Sequence, residues 1–197
     1  LEAEWLSWLP GYLSGTVSAT APLMNDTSRA ERLFQAGDYA AAEQEAIIVI
    51  NAIQQQGDAQ KLADAETLLA HIRKSIQAEQ LAQAAYQALS SYDYQQAQAL
   101  VVQARQLYAE AQDTRQSAVL AEYAIRAERG IQADQALKTA RDYARSLRYP
   151  QARTLADKAL SDYLALSDQT RIGEAQQLRS FLDQRQSLLG GLLLLLG

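Results

Sequence analysis

The sequence predicts an all-α protein in which antiparallel helices form a repeated array. Three observations support this fold class. Alanine, leucine and glutamine, which favour helices, dominate the 197 residues, and only nine glycines and three prolines interrupt them. Apolar residues recur at three- and four-residue steps, which is the spacing of one helix face. Segments of the chain also resemble one another at a fixed offset of 55 residues, which indicates a repeat protein.

Three segments carry the repeat and align without gaps: Ala30–Ala42, Ala85–Ala97 and Ala140–Ala152. In each, a tyrosine lies at a predicted turn between two helices and an alanine follows three residues later. An aspartate recurs at the same offset where one helical pattern ends and the next begins. The repeat-defining residues are Tyr39, Tyr94, Tyr149, Ala42, Ala97, Ala152, Asp58, Asp113 and Asp168. Because aspartate is a favoured N-cap, we interpret these aspartates as helix starts and not as ligands or bases.

The spacing predicts seven helices. In chain order they cover residues 28–36, 39–56, 59–91, 94–111, 114–147, 150–166 and 169–187. Gly57 suits the left-handed position that ends a helix, and Asp58 can cap the next one. Pro150 fits the first turn of the sixth helix, where its missing N–H is not needed.

Two of the predicted helices are long, and the sequence leaves open whether each is continuous. The helix over 59–91 could break near Gln77–Gln80, and the helix over 114–147 near Gly130. Gly130 is the weaker point, because an interior glycine costs about 1 kcal/mol relative to alanine.

The segment from Leu33 to Ala42 resembles the turn between the two helices of a tetratricopeptide repeat. The resemblance rests on a Gly-Asp-Tyr-like turn followed by small residues, as in Tyr94 with Ala97 and Ala104. The family's period is about 34 residues, whereas this chain repeats at 55. The surplus is about 30 Å of additional helix in each unit. The resemblance implies that a concave face of the array binds a protein or peptide.

Two architectures can hold the additional helix. In one, the units form an elongated solenoid whose first helices are long. In the other, each unit is a three-helix bundle whose last helix continues into the next unit, which gives a tandem three-helix array. Both place most contacts between neighbouring units.

The residues that common catalytic sites need are scarce. The net charge of −5, without a basic stripe, argues against nucleic acid as a partner. The chain has no cysteine, and His71 is its only histidine, which limits metal sites and catalytic triads. Glycine-rich phosphate loops and nucleophile elbows are also missing from the sequence. We therefore predict a protein that is not an enzyme and uses no metal or cofactor.

Arginines are numerous in the second half of the chain and could form a face that binds an acidic partner. The candidate partner-binding residues are Arg105, Arg115, Arg126, Arg141 and Arg145. The alternative is that they are solvated arginines paired with neighbouring carboxylates such as Glu110, Glu122 and Asp142.

Both ends of the sequence are apolar and flank the repeat domain predicted over 27–187. Residues 1–26 include Trp5 and Trp8, and could form an interfacial helix or cover the first repeat. Residues Leu188–Gly197 contain five consecutive leucines but cover only about 15 Å as a helix. They are either part of a transmembrane helix that has been cut or an apolar tail that docks on the protein.

These features predict a membrane-associated, non-enzymatic scaffold or adaptor that binds a protein or peptide through its repeats. One alternative is an extracytoplasmic ligand-sensing domain flanked by membrane segments. Another is a self-assembly protein whose leucine-rich end inserts into the membrane.

Overall fold

The structure is a computed structural model that describes residues 26–195, with side chains described as far as Ser187. The described residues form seven α-helices and no strands. In chain order the helices are α1 (Ser28–Ala36), α2 (Tyr39–Gln56), α3 (Ala59–Ser90), α4 (Tyr94–Glu110), α5 (Ser117–Arg145), α6 (Tyr149–Leu166) and α7 (Gln169–Leu195). Consecutive helices pack against each other, so the all-α helical array predicted from the sequence is confirmed.

The two long helices are continuous. Helix α3 passes through Gln77–Gln80 and α5 passes through Gly130 without a break. Helix α5 begins at Ser117, three residues later than the sequence predicted, because the chain around Asp113 forms a turn. Helix α7 extends to Leu195 and not only to residue 187, because leucine favours helix and the pair Gly190–Gly191 does not interrupt it.

Within residues 26–195, six residues with left-handed backbone end the helices, and they occupy two positions that recur every 55 residues. The first set is Gly37, Tyr92 and Leu147, and the second is Gly57, Gln112 and Ser167. At Tyr92 the turn is closed by two hydrogen bonds: Tyr92 N–H donates to Leu89 O at 3.2 Å, and Asp93 N–H donates to Ala88 O at 2.8 Å. This pattern is a Schellman motif, which lets the chain reverse directly into the next helix.

The chain divides into two compact units, residues 1–76 and 77–197. In the described part of the first, α1 and α2 pack against the first part of α3. Small residues allow a close approach, because Ala30, Ala42 and Ala46 are fully buried against Ile72. A second cluster further along α2 joins Ile53 and its neighbours to Ala65.

In the second unit, α5 packs against two short helices in succession. Its first half contacts α4, where Ala127 lies in a cluster with Tyr94 and Ala97. Its second half contacts α6, where Ala140 lies beside Ala152 in a cluster that Leu182 of α7 completes. Ala97 and Ala152 are fully buried, which brings the helix axes close together.

The predicted N-terminal segment 1–26, with Trp5 and Trp8, lies outside the described residues except for Asp26. The side chains of the predicted tail Leu188–Gly197 are likewise outside the description. Within the part of the chain that the structure describes, no helix is both long enough and apolar enough to span a bilayer.

Candidate functional site

A polar cluster lies in the second unit between the α3–α4 turn, α5 and the start of α7. Tyr94, the first residue of α4, places its ring directly on α5 at Gly130. A Cβ atom built on Gly130 would lie 2.2 Å from Tyr94 Cγ, so no larger residue fits unless the ring moves. The glycine therefore allows the tyrosine ring to lie against the helix backbone.

Asp168 anchors the cluster from the start of α7, and its side chain is fully buried. One oxygen, Oδ1, accepts a hydrogen bond from the backbone N–H of Arg171 at 3.1 Å, which is the bonding of a helix N-cap. The other oxygen, Oδ2, accepts from the hydroxyl of Tyr94 at 3.1 Å. Asp168 thus both starts α7 and joins it to α4.

Arg171 neutralises the buried carboxylate and adds further links. Its Nη1 donates to Asp168 Oδ2 at 2.8 Å and to the backbone oxygen of Tyr92 at 3.0 Å. Its Nε lies 2.9 Å from Asp134 Oδ1 on α5. The guanidinium carbon also lies 5.1 Å from the centre of the Tyr94 ring, within cation–π range. One arginine therefore joins three helices.

Asp134 contacts a second tyrosine in addition to Arg171. The hydroxyl of Tyr163, a fully buried residue of α6, donates to Asp134 Oδ1 at 2.7 Å. On the other side of the cluster, the hydroxyl of Tyr92 donates to the backbone oxygen of Ser167 at 2.8 Å. Side-chain hydrogen bonds therefore hold the α3–α4 turn against the turn between α6 and α7.

The surroundings keep the tyrosines protonated. Burial raises the pKa of Tyr94, and the nearby charge of Asp168 raises it further. Burial and the hydrogen bond to Asp134 raise the pKa of Tyr163 in the same direction. For Arg171, burial opposes the charged form, but the contacts with Asp168 and Asp134 outweigh it and raise the pKa. The two hydroxyls act as donors, and the arginine stays charged.

Beside this cluster the surface forms a cleft of about 450 Å³. Its walls are polar, and Asp93 and Asp134 bring two carboxylates to it. The lining residues are Ser91, Tyr92, Asp93, Tyr94, Gln95, Asp134 and Arg171. The cleft can offer hydrogen bonds and two carboxylates to a bound group.

The three repeated aspartates differ in their surroundings. Asp58 is an exposed cap: its Oδ1 accepts from Lys61 N–H at 3.1 Å, and this hydrogen bond lowers its pKa. Asp113 accepts from the backbone N–H of Arg115, two residues later, and so does not cap α5. Asp168 is fully buried and accepts a hydrogen bond from Tyr94, a residue of the tyrosine set.

Three of the five arginines predicted to bind a partner take part in ion pairs. Arg115 lies 2.6 Å from Asp113, Arg141 lies 2.7 Å from Glu174, and Arg145 lies 3.0 Å from Asp142. Arg105 is exposed on α4, and Arg126 is half-buried on α5. Arg126 and Arg145 are 19 residues apart, about 28 Å along the helix, so the structure does not gather these arginines into one site.

Five residues of the cluster were not predicted as site residues: Tyr92, Gly130, Asp134, Tyr163 and Arg171. The position of Arg171, three residues after a repeated aspartate, was the signal that could have revealed it. For Asp134 the available signal was Glu79, a second carboxylate at the equivalent position of the earlier repeat.

Comparison with known proteins adds no relative: no family model, curated protein or solved structure matches the chain. Among the described residues, no group of three or more histidine, cysteine, aspartate or glutamate side chains could hold a metal ion.

Proposed function

We propose that this chain is a non-enzymatic protein-interaction module, used in the manner of tetratricopeptide repeats, and that its partner binds at the cleft beside Arg171. The observation that carries the proposal is the cleft of about 450 Å³ with its fixed walls. Tyr94, Asp168 and Arg171 are held by hydrogen bonds before any partner arrives. A preformed recess loses little conformational entropy on binding, which favours recognition of a protein segment.

The charges around the cleft favour a basic side chain of the partner. Asp93 and Asp134 line the cleft, and Asp168 lies beneath it, whereas Arg171 is the one cation in the lining. Two of these carboxylates already share Arg171, so the local charge stays negative. A lysine or arginine entering the cleft would find carboxylates that can pair with its charge.

The test is capture of partners by the full chain, with a charge added at the rim of the cleft. Gln95 is exposed and lines the cleft, so Gln95→Arg should repel a basic partner without unfolding α4. Gln103→Arg is the matched control, because Gln103 is also exposed and lies two turns further along the same helix. We expect a partner that the wild type and Gln103→Arg retain and Gln95→Arg loses. Equal capture by both variants would contradict a role for the cleft.

Attachment to a membrane is the second part of the proposal. It is supported by five consecutive leucines at residues 192–196, following a pair at 188–189, and by the extension of α7 to Leu195. Co-sedimentation with liposomes tests it. The full chain should sediment with vesicles, and a Leu193→Lys, Leu194→Lys variant should remain in solution. Equal sedimentation of both would count against attachment through this end.

A further inference from the structure

The α5–α6 turn has the same form as the α3–α4 turn that takes part in the polar cluster. Leu147 has a φ of 60° and Tyr92 a φ of 61°, and each is the left-handed residue of its turn. Tyr149, like Tyr94, is buried and begins the following helix. We call residues 147–149 the acceptor turn.

The internal contact is the one in which the α3–α4 turn meets residues 167–171. Residues 167–171 also have a second version, at residues 57–61, which we call the donor turn. Gly57 corresponds to Ser167, Asp58 to Asp168 and Lys61 to Arg171. Asp58 accepts from Lys61 N–H at 3.1 Å, and the Lys61 ammonium lies 3.5 Å from its other oxygen. Asp168 accepts the same backbone bond from Arg171, whose guanidinium lies 2.8 Å away. Both turns combine a capping aspartate with a cation three residues later.

Asp58 and Leu147 of these second versions are more exposed than their counterparts in the internal contact. The Asp58 side chain is 40% exposed, whereas that of Asp168 is 0% exposed. Leu147 is 71% exposed, an unusual state for a leucine beside buried helix ends. Among the described side chains, Tyr149 makes no hydrogen bond through its hydroxyl, although Tyr94 and Tyr163 both do.

We propose that a second copy of this chain places its donor turn on the acceptor turn, so that copies associate head to tail. Tyr149 Oη then donates to Asp58 as Tyr94 donates to Asp168. Lys61 donates to the backbone oxygen of Leu147 as Arg171 donates to that of Tyr92, and the exposed Leu147 side chain is covered. This goes beyond the proposed function, because the partner is the chain itself and the contact lies away from the cleft.

The occupant is a second copy because the chain itself carries the matching turn. The remaining turn of this kind, at residues 112–116, does not match: Asp113 pairs with Arg115, and the residue three positions on is Gln116. The two surfaces of the contact differ, so the association is heterologous and can add copies in succession.

Three differences make the contact weaker than its internal counterpart. Leu189 occupies the position equivalent to Asp134, which pairs with Arg171 in the internal contact. Leu147 has no hydroxyl to replace the bond from Tyr92 to Ser167 O. Arg148 stands where Asp93 stands in the internal contact, and it would lie near Lys61 as Asp93 lies near Arg171 at the cleft. The association should therefore depend on concentration.

Sedimentation velocity of the full chain tests the proposal, with a mild detergent present to cover the leucine-rich end. The sedimentation coefficient should rise with concentration. Tyr149→Phe removes only the donating hydroxyl and should weaken association about tenfold. Tyr86→Phe is the control, because it removes a hydroxyl from a half-exposed tyrosine elsewhere in the same unit. A chain that stays monomeric, or that associates equally in both variants, would overturn the proposal.

A variant that gains affinity keeps the test independent of any loss of stability. Leu147→Tyr with Arg148→Asp gives the acceptor turn the Tyr-Asp-Tyr sequence of residues 92–94. It should restore the missing hydrogen bond, remove the repulsion of Lys61 and tighten association at least about fivefold. Weaker or unchanged association in this variant would refute the contact.

Cross-linking locates the contact directly, because the chain has no cysteine of its own. One preparation carries Ala59→Cys on the donor turn, and another carries Leu147→Cys on the acceptor turn. Mixing them under oxidation should give a disulfide-linked dimer of the two. Ile125→Cys replaces Leu147→Cys in the control and should not cross-link, although Ile125 is also well exposed, at 60% against 71% for Leu147. Cross-linking of the control to the same extent would reject the proposed geometry.

Discussion

The hydroxyl of Tyr94 donates a 3.1 Å hydrogen bond to the carboxylate of Asp168, a residue 74 positions further along the chain. Both residues belong to the 55-residue pattern, one as the tyrosine that begins a short helix and the other as the aspartate that caps a long one. Residues that recur for local reasons thus also form a long-range contact within the second unit.

Replacing Tyr94 with phenylalanine should lower the free energy of unfolding by about 2 kcal/mol, because a buried hydrogen bond to a carboxylate is lost. The ring still fills the space on Gly130, so the change isolates the hydroxyl. Chemical denaturation followed by circular dichroism measures the effect. Tyr86→Phe should change stability by less than about 0.5 kcal/mol, because that side chain is 51% exposed. Equal losses in both variants would show that the hydrogen bond to Asp168 does not add to the free energy of unfolding.

The sequence was enough to predict the helices and turns because these depend on neighbouring residues. Gly57 ends a helix and Asp58 caps the next through contacts within a few positions. The other residues of the polar cluster could not be predicted, because their contacts join residues that are distant in the sequence. Asp134 joins Tyr163 and Arg171 only because packing brings α5, α6 and α7 together, and no local pattern encodes that meeting.

The arginines illustrate the same limit. The sequence predicts either an anion-binding face or arginines that are paired with carboxylates. Arg141 pairs with Glu174, 33 residues away on α7, a partner that helical spacing along α5 could not indicate. The prediction that these arginines bind a partner stays a prediction.

Gly130 was expected to be a weak point of its helix, and the structure gives it a packing role instead. Gly130→Ala should destabilise the protein by about 1–2 kcal/mol, because the clash with the Tyr94 ring exceeds the gain in helix propensity. Gly173→Ala is the matched control, since nothing lies within 4 Å of a Cβ built there on α7. The control should stabilise by about 1 kcal/mol. Thermal denaturation compares the two, and stabilisation by both would disprove the contact.

Leu147 adopts left-handed backbone although it is not a glycine, with a φ of 60°. Leu147→Gly should raise the free energy of unfolding by about 1 kcal/mol, because the strain of its Cβ disappears and the exposed side chain contributes little packing. Ile125→Gly, at an exposed site inside α5, should instead cost about 1 kcal/mol. Urea unfolding at low protein concentration measures both. A loss of stability in Leu147→Gly would mean that its side chain packs in solution.

Alkaline pH should weaken the second unit through its buried tyrosines. Burial, with the charges of Asp168 and Asp134, raises the pKa of Tyr94 and Tyr163 above the unfolded value of about 10. The folded state therefore holds protons that the unfolded state releases, so stability is complete below about pH 10 and falls as the pH rises beyond it. Urea unfolding across this range measures the slope. The double variant Tyr94→Phe, Tyr163→Phe should start less stable but lose less with rising pH, whereas a slope as steep as that of the wild type would assign the fall to other groups.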